Sequence, residues 1–166
     1  LKIGFLFMQS QNSTIRCIEK FTNTVKYAIV IGMANTYILI AEDDAVLREV
    51  YMKKFNISGY NIRTAENGEE AIAEIQNKEP DILILDINMP ILDGFGVLER
   101  YPKAARKFPV IMLTNFQDDK YKSLGLELGA DDFFIKSEMT IHKLLEMVET
   151  LLKAKQYFGE KQDGAA

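Results

Sequence analysis

Two acidic positions have the type and spacing to do chemistry: the run Glu42-Asp43-Asp44 and the single Asp86. Each directly follows a short apolar run, Tyr37-Ile38-Leu39-Ile40-Ala41 for the first and Asp81-Ile82-Leu83-Ile84-Leu85 for the second. Thr114 follows a third run, Val110-Ile111-Met112-Leu113, and Lys136 follows a fourth, Phe133-Phe134-Ile135. Carboxylates within a few ångströms of one another repel and raise each other's pKa. A divalent cation removes that cost, and a small set of hard oxygen ligands suits Mg²⁺, which keeps some of its waters. A lysine and a hydroxyl beside such an ion complete the set that stabilises a phosphoryl group in transfer. Each residue also has an ordinary use. Asp44 could cap a helix, Asp86 a turn, Thr114 could simply favour a strand, and Lys136 could be a surface charge. It is the set, in register at four segment ends, that points to chemistry.

Those ends have to be brought together. The four runs, with Asn61-Ile62-Arg63-Thr64-Ala65 as a fifth, have the length and content of buried parallel strands. Helical periods lie between and after them. Val46, Leu47, Val50, Tyr51 and Phe55 form one stripe; Ala71, Ile72 and Ile75 form another behind Asn67 as N-cap. Val97, Leu98 and Tyr101 mark a third helix, and Leu124 and Leu128 a fourth. Ile141, Leu144, Leu145, Val148, Leu151 and Leu152 mark the fifth, behind Thr140. Strands alternating with helices imply right-handed crossovers and a parallel sheet covered on both faces. In such sheets the working site lies at the C-terminal strand ends, beside the reversal in strand order.

Composition narrows the classes. Of 166 residues, 48% are apolar and 27% charged, which excludes a disordered or fibrous chain. A net charge of −4 offers no basic excess for nucleic acid. One cysteine, Cys17, excludes a disulfide framework, and one histidine, His142, excludes a His-rich metal site. His142 is expected to be exposed on the first turn of the last helix. The apolar runs Ile3 to Met8 and Tyr27 to Met33 are too short to span a bilayer, and the expected address is the cytoplasm. Residues 1–36 carry a polar stretch, Gln9 to Thr14, and no clear period. Met33 stands just before the regular pattern, so residues 1–32 read either as an alternative-start extension or as a real arm.

Together these residues resemble the receiver domain of two-component response regulators. The resemblance rests on Ile38 to Asp44, Pro80 to Pro90, Asp93-Gly94, Pro109 to Thr114, Gly129 to Phe133, and Lys136. It covers residues 36–158, leaving 1–35 as an extension and 159–166 as a short tail. It implies a flavodoxin-like (βα)₅ fold, a doubly wound parallel sheet in strand order 2-1-3-4-5. It also implies roles. Asp86 would be the phosphoryl acceptor, and Asp43 the direct Mg²⁺ ligand. Glu42 would be the second acid, acting through water, and Asn88 would offer its backbone carbonyl. Thr114 would be the switch hydroxyl, Lys136 the partner of the phosphoryl oxygens, and Phe133 the switch aromatic. The phosphodonor would be a sensor histidine kinase or a histidine phosphotransfer protein, with no nucleic acid or membrane partner and no enzymatic turnover. Two positions depart from the pattern: Ser137 stands where the family usually has proline after the lysine, and Asn115 where the residue after Thr114 is usually small.

Rival readings fail on particular residues. A haloacid-dehalogenase-like phosphatase needs an acid two residues past the nucleophile, and a Toprim-like nuclease needs the same Asp-x-Asp; here the position is Asn88. Dinucleotide and P-loop readings lack a glycine-rich segment after the first strand. A degenerate receiver, acting as an unphosphorylated binding module, is opposed by the intact set Glu42, Asp43, Asp86, Thr114 and Lys136. With a tail too short for an output domain, the sequence is expected to be a stand-alone receiver whose downstream target is unknown. Phe116, two past Thr114, is expected at the mouth of the site, where its ring would hinder water and prolong the phosphorylated state.

Overall fold

The structure is a computed structural model, and it describes residues 35–115 and 119–163. Among the described residues, five strands alternate with five helices. In chain order they are β1 (Tyr37–Ala41), α1 (Ala45–Ile57), β2 (Asn61–Ala65), α2 (Gly68–Asn77), β3 (Ile82–Asp86), α3 (Gly94–Arg100), β4 (Val110–Thr114), α4 (Asp119–Glu127), β5 (Asp132–Ile135) and α5 (Ile141–Asp163).

The strands pair parallel in the order β2-β1-β3-β4-β5, the doubly wound order that the family resemblance implied. All residues of β1, β3 and β4 are buried, which is why these strands read as unbroken apolar runs rather than as alternations. Successive strand side chains face opposite sides of the sheet. Leu39, Ala41, Leu83, Leu85, Val110 and Met112 share one core cluster with Ala71, Ile72 and Ile75 of α2 and Val97 and Leu98 of α3. The alternate residues Ile38, Ile40, Ile82, Ile84, Ile111 and Leu113 are equally buried on the other side.

Helix starts follow local chemistry. The Asp44 carboxylate accepts from the N–H groups of Val46 and Leu47, Asn67 accepts from Glu70, and Asp93 accepts from Gly96. At α5 the Thr140 hydroxyl reaches the Lys143 N–H only at 3.4 Å.

Three helices differ from their sequence reading. On α1, Tyr51 and Phe55 enter the core, but Val46 and Val50 are exposed at 70% and 46%. The stripe was two residues wide in sequence, and only its i, i+4 row meets the sheet. On α4, Leu124 is exposed and Leu128 lies beyond the helix end. Close packing falls instead to Gly125, where a Cβ would collide with the ring end of Phe133. The last helix continues past Phe158 to Asp163, because Glu160-Lys161-Gln162 are good helix formers and no proline follows Gly159. His142 is exposed, as expected. Cys17, the arm 1–32 and Phe116 lie outside the described residues, and so does the proposed effect of Phe116 on water.

Candidate functional site

β1 and β3 are neighbours, and β2 lies on the far side of β1, so the strand order reverses between them. Ligand sites of open α/β sheets form at the C-terminal ends beside such a reversal. Here the chain places Glu42 and Asp43 just past β1 and Asp86 as the last residue of β3. The register pair Ala41↔Leu85 fixes their relative height.

Lys136 enters from beyond β5. Its Nζ lies 2.8 Å from Glu42 Oε1, 2.7 Å from Glu42 Oε2 and 2.9 Å from Asp86 Oδ2. All three side chains are out of solvent, with exposures of 6% for Lys136, 0% for Glu42 and 3% for Asp86. The Lys136 backbone N–H donates to the Thr114 carbonyl at 2.8 Å, and Thr114 pairs with Ile135 in the sheet. The buried Thr114 and Lys136 are therefore held together by the β4–β5 ladder. Among the described residues no peptide bond is cis, so the Lys136–Ser137 bond is trans.

The electrostatics follow from burial. Desolvation pushes Glu42 up to about 7, against the relief given by Lys136 and with a further upward push from Asp86. Desolvation also raises Asp86, opposed by Lys136 and by the backbone N–H of Asn88, while Asp43 adds repulsion. The two carboxylates in turn hold the Lys136 ammonium above its ordinary value despite its burial. Tyr51 is pushed up by burial and by the field of Glu42 and Asp86, so it stands beside the acids as a neutral phenol.

One ammonium serves two buried carboxylates, which leaves an excess of negative charge. Asp86 Oδ1 is buried with no hydrogen-bond partner among the described residues. Carboxylate oxygens of Glu42, Asp43 and Asp86 lie within 4.8 Å of one another, and Asp43 faces solvent. Hard oxygen donors, an orphaned anionic oxygen and an open side fit a hydrated Mg²⁺. Asn88, two past Asp86, is exposed.

The motif residues Asp93 and Gly94 support this floor. The Gly94 N–H donates to the Ile87 carbonyl at 3.0 Å, and a Cβ at Gly94 would collide with the Asp86 carbonyl oxygen. Only glycine lets α3 start so close to the acceptor strand. Phe133, 6% exposed, lies on β5, two strands away from Asp86, with its ring end against Gly125.

A family model described as the response regulator receiver domain matches residues 38–149. The chain belongs to that family. The receiver is 42% identical over 99 residues to the "Probable transcriptional regulator ycf27" of Guillardia theta, an alignment covering 60% of this chain and 39% of that protein. It is 37% identical over 102 residues to the "Alkaline phosphatase synthesis transcriptional regulatory protein PhoP" of Bacillus subtilis, covering 61% and 42%. Among solved structures, the receiver domain of the Francisella response regulator 1452 matches with a TM-score of 0.68 at 32% identity, over 72% of this chain and 98% of that one. The CheY-like response regulator receiver domain protein of Methanospirillum hungatei JF-1 matches with a TM-score of 0.69 at 25% identity, over 74% and 97%. The chain spans less than half the length of the curated relatives it matches. Among the described residues, no helix is long and apolar enough to cross a membrane.

The receiver thus brings Glu42, Asp43, Asp86, Thr114 and Lys136 to one end of its sheet, with Phe133 on β5, beside the β4 strand that carries Thr114. The sequence reading passes over two arginines whose contacts matter, Arg48 and Arg106. An arginine at the fourth position of an otherwise apolar helix start was the one available signal for Arg48. Arg106 is 8% exposed in a loop of otherwise exposed lysines and alanines, and no local pattern foretells its burial.

Proposed function

We propose that this receiver accepts a phosphoryl group onto Asp86 from a phosphohistidine on a partner protein, either a sensor histidine kinase or a histidine phosphotransfer protein. The observation that carries the reading is the divided environment of Asp86: one carboxylate oxygen beside Lys136, the other buried and unpartnered. In the transfer an Asp86 carboxylate oxygen attacks phosphorus. The new P–O bond forms as the P–N bond to the donor imidazole breaks, and the imidazole leaves with the electron pair. Lys136 stays close to both carboxylates and neutralises charge on the incoming oxygens. Glu42, Asp43, Asp86 and the carbonyl of Asn88 would hold Mg²⁺. The bound ion would supply charge compensation to the phosphoryl oxygens.

The phosphorylated side chain carries roughly −1.5 to −2 charges, by analogy with other phosphorylated residues. That charge draws the Thr114 hydroxyl inward and biases the packing of Phe133 beneath α4, changing a protein-binding surface. The chain takes phosphate onto itself and is not an enzyme in the turnover sense. Its setting is the cytoplasm. The curated relatives are named transcriptional regulators, so a DNA-directed output in the whole protein is compatible with this role.

Incubation with a small-molecule phosphodonor and Mg²⁺, followed by intact-mass analysis, tests the reading. One phosphoryl group is expected on the wild type and none on Asp86→Asn. A wild type that takes no phosphoryl, and gains no stability from a phosphoryl analogue, is instead an unphosphorylated binding module.

A further inference from the structure

Arg48 lies in the first turns of α1, and its guanidinium folds back over the loop that leaves β1. Nη1 donates to the carbonyl oxygens of both Glu42, at 2.7 Å, and Asp43, at 3.1 Å. Nη2 donates to Glu66 Oε1 at 2.6 Å. The backbone N–H of Arg48 donates to the carbonyl of Asp44 at 2.9 Å. One residue therefore ties down three consecutive positions of the loop that carries the acids. The register of β1 against β2 and β3 ends at Ala41; past it the Glu42 N–H still donates to the Ala65 carbonyl at 3.1 Å, while the carbonyls of Glu42 and Asp43 are held by Arg48. The Arg48 side chain is 14% exposed, whereas Glu66 is 64% exposed, so the guanidinium is pressed on the loop and the glutamate covers it from outside.

We propose that Arg48 is the positioning residue of the cation site: its planar fork sets the direction of the Glu42 and Asp43 carboxylates by fixing their carbonyls. This rests on the reading of Glu42, Asp43 and Asp86 as Mg²⁺ ligands. Two features separate positioning from simple charge. A cation beside an acidic cluster repels a second cation, so by charge alone removal of Arg48 would tighten Mg²⁺. Loss of a positioning contact loosens it. Lysine keeps the charge but is a point donor, and it cannot span two carbonyls and a carboxylate with a rigid fork.

The test is a Mg²⁺ titration of the full chain followed by backbone amide chemical shifts, with thermal melting in the absence of metal run alongside. Arg48→Ala and Arg48→Lys should each weaken Mg²⁺ about tenfold, the range seen when a group orienting a ligand is removed. Glu66→Gln should change it about twofold or less, because that pair is largely in solvent. Asp43→Asn should abolish saturable binding. If Arg48→Ala binds Mg²⁺ as tightly as the wild type, or more tightly, the proposal is overturned even where its melting temperature falls. An unchanged affinity in Arg48→Lys overturns it too, since a single point donor would then do what the planar fork is proposed to do. Should Arg48→Ala fail to fold, the lysine variant alone decides. A wild type with no Mg²⁺ response that Asp43→Asn removes overturns the cation site and the role of Arg48 together, whereas a normal wild-type response with indifferent Arg48 variants overturns only the latter.

Discussion

At residue 91 the backbone holds a β-branched side chain at φ 68°, in the left-handed region. That conformation costs an ordinary L-residue roughly 1–2 kcal/mol and a β-branched one no less. Burial does not offset it, because Ile91 is 80% exposed. The strain sits five residues past Asp86, in the loop that leads from the acceptor to α3. Asparagine tolerates this region, so Ile91→Asn should raise stability by about 1 kcal/mol. A urea midpoint that stays level or falls would show that the loop relaxes around isoleucine at no cost.

Among the elements, α4 and the α3–β4 loop are the places where a few atoms decide the packing. The missing side chain of Gly125 is the slot that receives the Phe133 ring. Alanine there would gain about 1 kcal/mol in helix propensity. It would also crowd a ring that is 6% exposed, and overpacking costs about 1–3 kcal/mol. The clash should win, so Gly125→Ala should lower stability by about 1 kcal/mol, and the loss should shrink when Phe133→Leu is added. Additive losses in thermal melts would mean that ring and helix do not compete for the space.

The loop before β4 is held by Arg106. Its guanidinium donates to the carbonyls of Tyr101, Phe108 and Gly129, and to Asp131 Oδ2 at 2.8 Å. Burial alone would raise Asp131, but Lys103, the Val110 N–H and Arg106 together hold it below its usual value. A depressed folded-state pKa contributes stability above the unfolded value of about 3.9, and that stability is lost as pH falls through the folded value. Asp131→Asn should therefore cost about 2 kcal/mol near neutral pH, the scale of a hydrogen bond to a charged group. The gap to wild type should close below about pH 4. Urea unfolding at neutral and acid pH checks this; a gap independent of pH would mean that the charge on Asp131 is not what matters.

For the whole molecule, the acids and the lysine join the loops after β1 and β5 to the end of β3, so a ligand seated on them should hold the native state together. At a hundredfold excess over Kd a ligand specific to the folded chain adds about 2.7 kcal/mol. Mg²⁺ with beryllofluoride should accordingly raise the melting temperature of the wild type by several degrees, and that of Asp86→Asn hardly at all. An equal rise in both would place the binding elsewhere than Asp86.

The sequence by itself determined the five strands and the identity of the acids that follow them, and its resemblance to the receiver family implied the strand order that the structure shows. Buried parallel strands leave continuous apolar runs, and an acid directly after such a run has its height in the sheet set by the backbone. Thr114 and Lys136 were legible for the same reason, as residues at strand ends. What the sequence did not determine was which helix side chains reach the sheet. Val46 and Val50 look like core beside Tyr51 and Phe55, and Leu124 looks like core beside Gly125. Only the docking of each helix selected Tyr51 and Phe55 on α1 and the bare backbone at Gly125 on α4. The arginines were decided at the same level. Arg48 meets Glu66 and Arg106 meets Asp131 across 18 and 25 residues of chain. Such contacts leave no period in the sequence, because they exist only once separate strands have been placed side by side.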